Sequence, residues 1–229
     1  MKLKSILKNT TLLCLLLSTT SISANDHHYQ QSLLELDWVG ISDDLGIPAK
    51  ILYAVGLKES GKYSKSKFTP HPWAIGIGED PSVGQFEHVS LYPDTQEEAE
   101  TVLNDLLDAG FKNLGIGMMQ ISLIYHLDKV NKPTDLLNLK TNLNVSIQVI
   151  QDCQKRNSTV EAVLSCYSFG EGDDPNGQIY ASETMQYANT YGKDFVESII
   201  PKGPPVGELN ENLLNSIWDS LDNQTRTQE

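Results

Sequence analysis

The feature that most constrains this chain is an interruption. Pro70, Pro72, Gly76, Gly78, Pro81, Gly84 and Pro93 fall within one short stretch. Proline removes a backbone donor and glycine is costly to order, so no long helix can cross that stretch. Short apolar pieces such as Trp73-Ala74-Ile75 alternate there with turn residues. That pattern predicts loops and a small hairpin.

On both sides of the interruption the patterns are helical. Pro48 suits a helix start and Gly61 a stop, with Leu52, Val55, Gly56 and Glu59 on one face between them. Thr95 and Glu98 have capping-box spacing, opening a helix that runs to Asp108 and stops at Gly110. Gly115 and Gly117 precede Met118-Met119-Gln120-Ile121, read as the entry to another helix. Thr141 to Gln154 follows, with Leu143, Ile147 and Ile150 as its stripe. Ser158 and Glu161 form a second box ahead of Val160, Val163, Leu164 and Tyr167. A last long helix is expected from about Ser182 to Ile199. Pro201, Pro204 and Pro205 mark a boundary, and Glu208 to Leu221 has the spacing of an amphipathic helix. No internal repeat is evident. With 229 residues, 39% of them hydrophobic, the chain suits one core-bearing domain. The expectation is a mainly α domain over 25–200 with a small loop or β insertion, then a Pro-rich linker and tail over 201–229.

The first 24 residues differ from the rest. Lys2, Lys4 and Lys8 give a positive start, and Leu12 to Leu17 an apolar stretch too short to span a bilayer comfortably. Ser21-Ile22-Ser23-Ala24 follows. This order reads as a secretory signal peptide cleaved after Ala24, with an uncleaved anchor as the rival reading. Cys14 lacks the small residues of a lipoprotein site just before it. The formal charge of -13 becomes -16 once three lysines leave with the segment. A chain this acidic, with no basic run, is a poor partner for nucleic acid. Cleavage leaves two cysteines, Cys153 and Cys166. In an oxidising compartment they suggest one disulfide, with two buried thiols as the alternative. Simple antiparallel pairing of their helices leaves them about a turn out of register, so the helices must cross or end early.

Three short segments carry candidate chemistry. Glu59-Ser60 places a carboxylate on a core-facing stripe near a helix C-terminus. Desolvation and the negative end of the helix dipole both disfavour its charge there. A carboxylic acid kept protonated near neutral pH suits glycosidic cleavage, which must protonate a leaving oxygen. Taken alone, the pair reads better as a surface glutamate at a helix end. Gly115-Ile116-Gly117-Met118-Met119-Gln120 offers close backbone approach and an amide able both to donate to and to accept from an acetamido sugar. A tight turn before a core helix explains it equally well. Tyr167, in Cys166-Tyr167-Ser168-Phe169-Gly170, ends a helix and offers a hydroxyl, or is simply a core residue. Glu79, Asp80 and Glu87 are loop acids available as a second carboxylate. The histidines, including His27, His28, His71, His88 and His126, lack metal-ligand spacing, and no metal or cofactor is expected. Trp73 is read either as a sugar-stacking ring or as core.

The order and spacing of the three segments resemble the soluble lytic transglycosylase family, whose motifs are Glu-Ser, Gly-x-Met-Gln and Ala-Tyr-Asn-x-Gly. The resemblance covers Ile47 to Gly170. Between the first two motifs, Pro72-Trp73-Ala74-Ile75-Gly76-Ile77-Gly78, then Tyr92, then a helix over Glu97 to Leu107, is similar to the transglycosylases of conjugative elements and type IV secretion systems. Tyr125-His126 fits that subgroup as well. Ser168 stands where the family usually has asparagine, and Cys166 where it has alanine.

The resemblance implies a lysozyme-like fold and an exported, periplasmic enzyme acting on peptidoglycan glycan strands, with components of a secretion apparatus as candidate partners. Glu59 would be the catalytic acid and base. Ser60 would orient the acid or the substrate acetamido group, Met119 and Gln120 would line the glycan subsites, and Tyr167 would hydrogen-bond near Glu59. Two other functions compete: a hydrolytic muramidase using a second carboxylate, and a non-catalytic glycan-binding component of a secretion machine.

Overall fold

The computed structural model describes residues 33–64 and 67–199. The chain divides into two compact units, residues 1–35 and 36–229, and every element named here belongs to the second. Of the first unit only residues 33–35 are described. The signal segment, His27-His28 and the tail over 201–229 lie outside the described residues.

The architecture is mainly helical, with two small antiparallel sheets. Helix α1 spans Trp38–Leu45, opened by the Asp37 carboxylate, which accepts from Gly40 N. Helix α2, Ala49–Ser60, starts after Pro48 as the sequence predicts. It is not amphipathic in the ordinary sense. Ile51 to Leu57 are all buried, as is Ser60, because α2 lies between α1, the hairpin and the last helix. Gly61 ends the helix by turning into strand β1, Gly61–Ser64, which pairs with β2, Lys67–Pro70.

The interrupted stretch forms a sheet. Strands β3 (Ile75–Ile77), β4 (Val89–Leu91), β5 (Leu114–Ile116) and β6 (Ile121–Ser122) pair antiparallel in the order β4-β3-β5-β6. Helix α3, Gln96–Asp108, is inserted between β4 and β5, with Thr95 accepting from Glu98 N. Met118 to Gln120 do not enter a helix directly. They form the turn of the β5–β6 hairpin, and helix α4, Leu123–His126, follows β6.

Helix α5, Leu139–Gln154, is capped by Asn138, and α6, Val160–Phe169, by Thr159. The cap of α6 therefore lies one residue beyond the expected Ser158. Helix α7 runs from Pro175 to Ile199, about two turns earlier than expected. The Asp174 carboxylate accepts from Asn176 N and Gly177 N, and Pro175 occupies the first turn, where its missing N–H is harmless. Helix α7 packs along both α2 and α6. Trp38 stands edge-on to Tyr53 and Phe195, which stack on each other at 3.7 Å, so three aromatic rings join α1, α2 and α7.

Cys153 and Cys166 form a disulfide, with Cα atoms 5.8 Å apart. The register difficulty is met because α5 ends one residue after Cys153 while α6 carries Cys166 well past its start. Among the described residues no helix is long and apolar enough to cross a membrane.

Candidate active site

Helix α2 delivers Glu59 at its last turn, beside the buried Ser60. The acid keeps partial exposure, because it faces open clefts. Protein surrounds it closely enough that burial pushes its pKa up to about 7, against 4.5 for an ordinary glutamate. Two influences oppose that rise: a hydrogen bond from Tyr180 and the charge of Lys58. The Tyr180 hydroxyl donates to Glu59 Oε1 at 2.5 Å. Burial, then the charge of Glu59, holds the Tyr180 phenol well above its usual range, so it remains a donor at neutral pH.

Two clefts meet at this acid. The first, about 870 Å³, includes Lys58, His88, Asn113, Tyr180 and Glu183 in its walls. The second, about 850 Å³, includes Tyr125, His126, Arg156 and the disulfide. Glu59, Gln120, Ser122, Ser168 and Phe169 line both. A polymer laid through the two clefts would pass over Glu59, with surface to hold it on each side.

The hairpin turn supplies the opposite wall. Gln120 has a φ of 45°, a left-handed conformation that costs a non-glycine residue energy and requires support from its surroundings. Its side-chain Nε2 donates to Ala74 O at 3.1 Å and to Gly117 O at 2.9 Å. The amide lies across the paired glycines of β3 and β5, Gly76 and Gly115. A Cβ at Gly76 would come within 2.4 Å of Gln120 Oε1, and one at Gly115 within 2.9 Å. These two glycines therefore make the bed in which the glutamine rests. Buried Asn142 holds the turn from behind. Its Oδ1 accepts from Met119 N at 2.8 Å, and its Nδ2 donates to Ile116 O and Leu136 O.

The expected site residues divide into two groups. Glu59 and Gln120 line both clefts, and Tyr167 lines the second. Ser60 and Met119 line neither cleft. Ser60 is 1% exposed, and its hydroxyl shares its one proton between Gly56 O and Met118 O, 2.8 Å away and the closer of the two, and accepts from His71 N. It fastens α2 to the hairpin turn instead of orienting the acid directly. Met119 is fully buried, and its contribution is a backbone carbonyl that accepts from the Tyr167 hydroxyl at 2.7 Å. Tyr167 thus braces the turn close to Glu59, while the hydroxyl that bonds to the acid itself is that of Tyr180. Glu59 is nonetheless a neighbour of Tyr167, since burial and then its charge raise that phenol's pKa. Ser168, exposed where the resemblance would have asparagine, lines both clefts.

Glu79, Asp80 and Glu87 line neither cleft. Asp80 instead accepts from Ser82 and from Lys112 N, contacts that hold its pKa below the usual range. Trp73 also lies outside both clefts and meets His71 edge-on.

Tyr180, Asn142 and Glu183 were not singled out from the sequence. Tyr180 lies in turns of α7 that precede the expected start at about Ser182, and Glu183 lies just inside that start, with no local pattern to mark it. Lone polar residues such as Asn142 on a helical stripe give no pattern to read.

Comparison with models of known families, with curated proteins and with solved structures returns no match.

Proposed function

We propose that the protein is a peptidoglycan lytic transglycosylase with a lysozyme-like fold. The observation that carries the reading is Glu59: an acid of pKa about 7, braced by Tyr180, where two clefts meet. An acid of this kind keeps a large protonated fraction up to about neutral pH and can give its proton to a glycosidic oxygen.

In the proposed reaction, Glu59 protonates the oxygen linking N-acetylmuramic acid to N-acetylglucosamine. The C1–O bond breaks as the substrate's own acetamido oxygen closes on C1. The muramyl C6 hydroxyl then attacks C1, the bond from C1 to the acetamido oxygen breaks to restore the acetamido group, and ionised Glu59 takes the hydroxyl proton. The product is a 1,6-anhydro-muramyl end, formed without water. This path needs one carboxylate instead of the flanking pair of most glycosidases. It also needs an acid whose two protonation states are close in energy, as a pKa near 7 provides. The Gln120 amide faces the same junction and can engage an acetamido group.

Export to the periplasm is supported by the signal-like start and by the disulfide. Service to a conjugation or type IV secretion apparatus rests on the resemblance of the segment from Pro72 to Tyr92. Hydrolysis is the second reading. It draws on Glu183, a carboxylate that lines the first cleft and is ion-paired with Lys58.

The test is clearing of purified sacculi by the wild type and by Glu59→Gln. The wild type clears the suspension. The variant, folded by circular dichroism, leaves it turbid. Equal clearing by both would remove Glu59 from the mechanism.

A further inference from the structure

The second cleft contains a cation that the proposed chemistry does not use. Arg156 is the only arginine among the described residues, where every other basic chain is a lysine or histidine. It lies just past the end of α5 and lines the second cleft. Its NH2 group donates to Cys166 Sγ at 3.1 Å, so the disulfide fixes the direction of the guanidinium without neutralising it.

The other cleft cations are more closely matched. Lys58 is ion-paired with Glu183, and Lys129 lies 3.5 Å from Asp152, a carboxylate that Lys155 also engages at 2.7 Å. Among the described residues, the carboxylate paired with Arg156 is that of Glu171, 3.9 Å from NH1, with side-chain exposures of 55% for the arginine and 74% for the glutamate. Such a pair is loose and screened by water, and leaves most of the five donors of the fork open. The same cleft is also lined by the exposed ring of Phe169 and by the acids Asp128 and Asp152. Asp152 is already held by two lysines.

We infer that Arg156 is a specificity residue that binds a carboxylate carried by the sugar seated in the second cleft. This rests on the proposed function and deepens it. Only the muramyl sugars of such a strand bear a carboxylate, on the lactyl ether itself or on a peptide attached to it. These sugars alternate with N-acetylglucosamine. A fixed guanidinium in one cleft therefore sets the register of the strand: a muramyl residue occupies the second cleft, and strands shifted by one sugar lose the contact. Arginine suits this role better than lysine because its planar fork meets a carboxylate through two parallel hydrogen bonds.

The test compares kcat/KM for glycan strands bearing free carboxylates, on the peptide in one preparation and on the lactyl group of peptide-free strands in another, with the same strands after conversion to carboxamides. The wild type is expected to prefer the carboxylate strands about tenfold, the scale of one charge-assisted hydrogen bond. Arg156→Gln should bring that ratio close to one, Arg156→Lys should restore part of it, and added salt should reduce the wild-type ratio. In peptide-bearing strands the lactyl carboxyl is already an amide, so the two preparations separate the sources: a preference confined to peptide-bearing strands assigns the peptide, one confined to peptide-free strands assigns the lactyl group, and no preference in either would overturn the inference. An Arg156→Gln ratio equal to that of the wild type would overturn the inference. The same comparison made by binding to Glu59→Gln and to Glu59→Gln/Arg156→Gln does not depend on turnover. A chain that releases no anhydro ends yet shows the Arg156-dependent preference would refute the proposed reaction and leave this inference standing.

Discussion

Replacing Glu59 by glutamine should stabilise the protein at alkaline pH, and the size of the effect follows from the site. Burial raises the folded-state pKa of Glu59 from 4.5 to about 7. Every tenfold gain in proton affinity on folding corresponds to about 1.4 kcal/mol, so ionised Glu59 opposes folding by about 3 kcal/mol at most, water in the clefts reducing the figure. The sign is set by proton uptake. Below pH 4.5 the carboxyl is protonated in both folded and unfolded states. Between pH 4.5 and about 7 the folded state holds the proton and the unfolded state has lost it, so stability falls as pH rises. Above about pH 7 the loss is complete. Glutamine is neutral throughout and carries no such slope. Urea unfolding of both proteins from pH 4 to pH 8 measures the difference. The advantage of Glu59→Gln should grow by up to about 3 kcal/mol across that range. A difference that is flat with pH, or that shrinks toward pH 8, would refute the claim that desolvation dominates at Glu59.

Two further outcomes follow from the same geometry. The Tyr180 hydrogen bond lowers the Glu59 pKa, so Tyr180→Phe should raise it. The high-pH fall in kcat/KM, expected near pH 7 in the wild type, should move to higher pH in the variant, by about tenfold in proton concentration; a limb that stays in place or moves down would exclude Tyr180 as the residue that tunes the acid. Reducing the Cys153–Cys166 disulfide opens a short loop, a change on the order of 3 kcal/mol. Calorimetry with and without reductant should show a melting temperature lower by about 10 °C, and an unchanged value would count against the bridge.

The helices were legible where their signals are local. Pro48, the Thr95 cap and the apolar stripe of α5 each act within a few residues of the chain, and the helices they announce are present. The start of α7 was hidden because Asp174 and Pro175 sit among glycines and acids that also read as a turn. The segment Met118 to Gln120 has the local pattern of a helix entry but forms a hairpin turn, because its fate is decided by long-range partners: β3 against β5, and Asn142 against the turn. The site divides in the same way. Glu59 and Gln120 could be named from sequence because a motif marks them. The assignments of Ser60 and Met119 to substrate contact gave way to structural contacts, since burial of a side chain depends on what packs over it. Tyr167 is legible as a hydroxyl near Glu59, but the hydroxyl that bonds to the acid is that of Tyr180, because two tyrosines from successive helices converge there and only tertiary packing decides which one bonds to it.

The most direct test of the account is the chemistry of the cut ends. Sacculi digested with the purified protein should yield fragments ending in 1,6-anhydro-muramic acid, lighter by one water than the corresponding reducing ends, and Glu59→Gln should yield none. Reducing ends from the wild type would mean that water attacks C1. In that event the one-carboxylate mechanism proposed for Glu59 is wrong.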